Sequence, residues 1–269
     1  MTVLKHYSVE LFGGPTLTGP DGPCALSPFQ YAFLALIYAE ENLSRPRVSK
    51  LLWNTEPDAR ARARIRQLRH QVQKRSGAQV IASAGDLLSA SADVQSDVRD
   101  FRADISSGIY LPAAERLSRG LLSTLLMEVG EEFEDWRDSF ERRLKKDLVL
   151  KASTAWEASK AGSEWERARD AAEALHVLNP QSQRACARLV EARARVGKLR
   201  AAEIIYAEYR LTHGSGEKSS HLTKLMERAR TADREAAGPA GVPEVVQAGP
   251  RSPGSNPCGP GGGSGGSGG

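Results

Sequence analysis

Trp165, Ala168 and Ala172 recur 34 residues further on as Leu199, Ala202 and Tyr206. A bulky residue followed by alanines at fixed offsets spells a helix–turn–helix repeat, with Asn179-Pro180 closing the first unit and Gly197 opening the second. No other feature restricts the fold as strongly. A single helical pair cannot bury its apolar face, so such units must stack, and stacking leaves a concave face on which a partner can sit. A helical pattern from Phe133 to Ser159 adds to the stack, so the chain from about Ser96 to His213 is expected to be all helix. Packing alone is the plainer role for that concave face.

Ahead of the stack the period changes. Tyr7 to Phe12 reads as a strand with Val9 and Leu11 alternating, Gly13-Gly14-Pro15 as a turn, and Cys24-Ala25-Leu26 as a second strand. Ser27-Pro28 then marks a helix start, serine as cap and proline in the first turn. Phe29, Phe33, Leu36 and Ile37 follow at the spacing of one buried face. A second helix starts at Ser44 and carries Val48, Leu51 and Leu52 as far as Trp53. Glu56-Pro57-Asp58 breaks the chain and caps a third, longer helix that runs to Ser76-Gly77. Gln79 to Ala82 and Leu87 to Ala90, joined by Ser83-Ala84-Gly85-Asp86, read as a hairpin. Strand, three helices and hairpin is the winged-helix arrangement. The fold class is therefore mainly α: an α+β winged helix over 1–94, then an all-α repeat domain of tetratricopeptide type over 95–213. Residues 214–269 read as a mostly disordered tail with a short helix at 221–230. The tail ends in a Gly/Ser-rich flexible coil, native or appended.

Charge is distributed unevenly. The formal net charge is only +4, yet residues 59–85 hold seven cations (Arg60, Arg62, Arg64, Arg66, Arg69, Lys74 and Arg75) and no acid. Residues 101–213 hold nineteen basic and eighteen acidic residues, which nearly cancel. A positive field is thus focused on one helix. At 100° per residue Ala61, Ile65, Leu68 and Val72 share the arc that must face the core. Ala59, Ala63, Arg66, Gln67, His70 and Lys74 lie opposite, flanked by Arg62, with Arg60, Arg64, Arg69 and Arg75 nearer the boundary. Such a face suits a DNA major groove. Small alanines let the backbone approach base edges, Arg62 and Arg66 carry the planar fork that fits guanine, and Gln67 fits adenine. Boundary arginines and the second helix's Arg45, Arg47 and Lys50 are placed for phosphates, which set register without reading sequence. A merely solvated arginine face is the alternative, but solubility faces mix signs and this one does not.

Other classes find little support. The histidines His6, His70, His176, His213 and His221 form no ligand pair, no phosphate loop is present, and Gly13-Gly14 precedes a proline, so no enzyme activity, cofactor or metal is expected. Glu131-Glu132 and Glu134-Asp135 read as stabilisers of a helix N-terminus. Cys24, Cys186 and Cys258 stand far apart, which fits a reducing cytosol and a cytoplasmic protein. No apolar run of membrane-spanning length occurs and the first residues lack a secretion-signal layout.

The run SPFQYAFLALIYAEENLSRPRVSKLL (Ser27 to Leu52), completed by Trp53, resembles the first two helices of OmpR-type winged-helix domains, and ARARIRQLRHQVQKR resembles their recognition helix. FEDWRDSFERRLKKDL (Phe133 to Leu148) and the repeats through Leu178-Asn179-Pro180 resemble the bacterial transcriptional activator domain. That pairing, covering about residues 7–213, is similar to the SARP-type regulators. The resemblance implies a transcription activator that binds double-stranded DNA at direct repeats, often as a pair of subunits, and contacts RNA polymerase. It places Arg62, Arg66, Gln67 and His70 at groove-facing positions. Two segments depart from the family: Gly85 is followed by Asp86-Leu87-Leu88 where an aromatic and a basic residue are usual, and THGSGEKSS follows Arg210-Leu211. The competing function is a protein-interaction adaptor in which the repeats do the binding and the winged helix is degenerate. An RNA-binding role lacks the exposed aromatic strand platform that single strands need.

Overall fold

The computed structural model describes residues 7–55, 58–125, 129–213 and 220–237. Strand β1 (Tyr7–Glu10) pairs antiparallel with β2 (Thr16–Gly19), which pairs with the short β3 (Gly22–Pro23). Tyr7, Val9 and Leu17 point inward and are buried. The second strand is therefore Thr16–Gly19 and not Cys24 to Leu26, where a lone bond from Cys24 N to Leu17 O (2.7 Å) continues the sheet no further. Two threonines and a leucine in that strand alternate too briefly to stand out beside the Gly-Pro-rich turns around them.

Helix α1 (Pro28–Ala39) opens with a reciprocal cap: Gln30 N donates to Ser27 Oγ (3.3 Å) and Ser27 N to Gln30 Oε1 (2.9 Å). It was expected to bury one face, yet every residue from Ala32 to Ala39 is buried. Helix α2 (Arg45–Trp53), helix α3 (Ala59–Ser76) and the wing hairpin cover it on several sides. Ser44 caps α2, and Asn54 ends it in the left-handed region (φ 47°). The hairpin consists of β5 (Ile81–Ala84) and β6 (Leu87–Ala90), with β4 (Leu43–Ser44) added on the far side of β6. Its turn is tighter than expected: Ala84 pairs with Leu87, leaving only Gly85 (φ +58°) and Asp86 between. Sheet, three helices and wing form a winged helix.

Strand β7 (Val94–Ser96) then lies parallel to β1, so the chain leaves the winged helix stapled to its first strand. Helices α4 (Asp97–Ser106), α5 (Tyr110–Ser118), α6 (Glu131–Ala161), α7 (Trp165–Leu178), α8 (Gln183–Arg195), α9 (Leu199–His213) and α10 (Ser220–Ala237) follow. Helix α7 packs on α5, α6 and α8, while α8 packs on α9 and α10, which is a stack of helical pairs. Asn179-Pro180 joins α7 to α8 and so lies inside the first unit rather than closing it. The last helix is longer than 221–230 and part of the stack: Leu222 and Met226 are buried against Ala202, Ile205 and Tyr206, and Tyr206 Oη bonds Thr223 Oγ1 at 2.7 Å.

The expected boundary at 94/95 falls inside β7, and the apolar core runs across it. Leu11, Phe12 and Leu17 share one apolar cluster with Phe101, Leu121, Phe133, Trp136 and Phe140. Asp97 reinforces the joint by accepting from Leu11 N (2.7 Å) and Phe12 N (2.8 Å) through Oδ2, and burial pushes its carboxyl above the usual aspartate range. A second cluster, from Trp156 to Met226, belongs to the distal repeats. Among the described residues no helix is long and apolar enough to cross a membrane. Glu56-Pro57, the start of the chain (1–6) and the Gly/Ser-rich tail from 238 lie outside the described residues.

Candidate nucleic-acid interface

Helix α3 is defined at both ends by its own chemistry. Asp58 caps it, the carboxylate accepting from Ala61 N at 2.6 Å, and Gly77 ends it in the left-handed region (φ 69°). Ala61, Ile65, Leu68 and Val72 are buried, as the wheel requires, and Ser76 joins them. Tyr7 Oη donates to Ser76 O (3.1 Å), pinning the helix end to the first sheet.

The rest of α3 faces outward. Ala59, Arg60, Arg62, Ala63, Arg64, Arg66, Gln67, His70 and Lys74 are exposed, and Arg69 is half-buried. Among the described residues no carboxylate forms an ion pair with any cation of this helix. Asp58, at its N-terminus, is occupied as the cap. Two of the four boundary arginines are steadied by the fold: the Arg64 guanidinium lies 5.8 Å from the Trp53 ring centre, and Arg75 donates to Ala25 O (2.6 Å). Trp53 is half-buried and tilted against Phe29 (5.6 Å between ring centres), so it supports α3 from below rather than filling the core.

The second helix contributes unequally. Arg47 and Lys50 are exposed. Arg45 turns the other way: its Nη2 donates to Ser83 Oγ (2.9 Å), its backbone N–H to Asp86 O (3.0 Å), and its Nε is buried without a partner. It ties α2 to the wing, which no spacing rule on α2 alone reveals because the wing is nearly forty residues away in sequence. The wing itself carries no Lys or Arg between Ala78 and Ser91, and its tip is Asp86 with an exposed Leu87. Gln71 escaped the sequence reading; it is exposed at the edge of α3 and accepts from Gln30 Nε2 (3.2 Å).

This arrangement offers a rod of outward cations with a small-residue centre at Ala63. A helix can enter a groove about 12 Å wide, and guanidinium forks reach both base edges and phosphates from it. Among the described residues no group of three or more His, Cys, Asp or Glu could hold a metal ion.

No protein-family model matches the chain, and no curated protein matches it. Among solved structures the chain is similar to one described as Mycobacterium tuberculosis EmbR in complex with low affinity phosphopeptide, at 23% identity and a TM-score of 0.43, over 87% of this chain and 70% of that one.

Proposed function

We propose that the protein is a transcription regulator that binds double-stranded DNA through α3 and works in the cytoplasm. The observation that carries this reading is the outward face of α3, seven cations long and without a carboxylate partner among the described residues. Left unpaired on a helix, these groups suit a polyanion that follows the helix, and duplex DNA supplies a charge about every 1.7 Å.

In this reading α3 lies in the major groove with Ala59 and Ala63 nearest the base edges. Arg62 and Arg66 read guanine, and Gln67 reads adenine. Arg60, Arg64, Arg69, His70 and Lys74 meet phosphates on the groove walls, and Arg47 and Lys50 of α2 meet the neighbouring backbone. Arg45, assigned from sequence to a phosphate, acts instead by holding the wing. The wing adds no cation, so affinity rests on α3 and α2. The resemblance to SARP-type regulators supports activation through RNA polymerase, with the repeat stack as the protein-facing surface.

Selection of bound sites from random duplex DNA tests the proposal. Recovery of a common motif with guanines at the positions lost when Arg62 or Arg66 is replaced supports it. Recovery of unenriched sequence would leave the adaptor reading in its place.

A further inference from the structure

Helix α6 runs for 31 residues, about 46 Å at 1.5 Å per residue, and its buried stripe passes through Phe133, Trp136, Phe140, Leu144 and Leu148. The opposite side is charged in blocks. At 100° per residue Glu131, Asp135, Asp138, Arg142, Lys145, Lys146 and Val149 fall within an arc of about 100°. All seven are exposed. The acids occupy the first two turns and the cations the next two. The helix dipole accounts for acids at the N-terminus. It does not account for cations in the middle of the helix, ten or more residues before its end.

Few of these charges are satisfied within the chain. Glu131, Asp135, Lys145 and Lys146 make no ion pair with any described residue, and Arg142 bonds only the Asp138 carbonyl (3.2 Å). Asp138 pairs with Arg137, itself shared with Glu134.

We propose that this face of α6 binds the same face of a second copy of the chain, the two helices antiparallel about a two-fold axis that crosses the exposed side at the level of residue 140. Such an axis is self-complementary, so each contact occurs twice. It sets Asp138 opposite Arg142, Asp135 opposite Lys145 and Lys146, and Glu131 opposite Val149 at the rim. A parallel pairing would instead set acid against acid and base against base. The pairing is charge-driven and modest in strength, because exposed ion pairs contribute little each and are screened by salt. It is independent of the DNA-binding reading. A two-fold pair presents its two α3 helices with opposite polarity, which suits inverted half-sites rather than direct repeats.

Charge reversal in the full-length protein tests the pairing by sedimentation equilibrium at high micromolar concentration and low salt. The wild type is expected to dimerise and to dissociate as salt shortens the screening length from about 10 Å at 0.1 M to about 3 Å at 1 M. R142E/K145E/K146E alone and D135K/D138K alone are expected to be folded monomers, with circular dichroism confirming their helix content. Mixed together they are expected to form a heterodimer, since every reversed acid then meets a reversed base. A monomeric wild type under these conditions overturns the proposal, as does a mixture that stays monomeric. Retention of the dimer by both variants does so too, by placing the contact on another surface.

Discussion

Arginines in the repeat stack and arginines on α3 are the same residue put to opposite uses. Arg188 in α8 is 6% exposed; it donates to Ser153 Oγ (3.0 Å) and Glu157 Oε1 (2.9 Å) and lies 4.9 Å from the Trp156 ring centre. Arg169 in α7 is ringed by Glu166, Asp170 and Glu173, and Arg193 reaches back from α8 to the same Glu173 at 3.2 Å. Arg188 and Arg193 join helices, and Arg169 is neutralised within its own. On α3 no arginine has a carboxylate partner among the described residues: the Arg64 guanidinium lies over Trp53, Arg75 donates to a carbonyl, and Arg60, Arg62, Arg66 and Arg69 are left open. Composition alone does not separate the two cases; the supply of carboxylates within reach does.

The largest effect is expected where the two regions meet. Phe133 is fully buried in the cluster shared by the winged helix and the first repeats. Phe133→Ala should cost about 3–5 kcal/mol, and hydrogen exchange should show β1 and α6 losing protection together. Protection lost in α6 alone would mean that the two regions fold separately despite their common core.

Next comes Arg188→Ala, which removes two hydrogen bonds and the stacked guanidinium. Glu157 is 57% exposed and can rehydrate, so the loss is expected near 2 kcal/mol, read from chemical denaturation, with DNA affinity unchanged. Arg66→Ala should reverse that pattern: stability within about 0.5 kcal/mol of wild type, but about 1–3 kcal/mol lost on the preferred DNA site and a blurred base preference. Equal weakening on every sequence would reduce Arg66 to a phosphate contact. Any case in which both arginines behave alike would erase the contrast between the regions.

The smallest effect concerns the joint. Because burial raises the Asp97 carboxyl in the folded state, its contribution to stability is full at low pH and is lost as pH rises through the raised value. Asp97→Asn keeps an acceptor for Leu11 and Phe12 and removes the charge. The variant should therefore gain relative to wild type by on the order of 1 kcal/mol or less at neutral pH, with the gain shrinking toward about pH 4. Denaturation curves at the two pH values check it; a loss at neutral pH would show that the carboxylate's two hydrogen bonds outweigh its desolvation.

Much of the helical architecture was legible because its signals are local. Asp58, the 61-65-68-72 apolar series and Gly77 define α3 within a residue, and the Phe133 to Ser159 pattern lies inside α6. The short strands β2, β4 and β7 were not legible, since two to four residues carry no period and their pairing partners are distant in sequence. The long α10 was undersized because, among its described side chains, only Leu222 and Met226 are buried and many are polar. In the candidate interface the outward α3 residues were readable from a helical wheel. The inward turn of Arg45 and the half-buried state of Trp53 were not, because both depend on neighbours brought in by the tertiary fold.

Fluorescence anisotropy of wild-type protein on duplex DNA across a salt series tests the role of α3 most directly. With about 5–7 phosphates neutralised by α3 and α2, log affinity should fall against log salt with a slope of roughly −4.5 to −6.3. Lys74→Ala should make that slope shallower by about 0.9. Absence of binding at low salt, or a slope near zero, would contradict a DNA-facing α3.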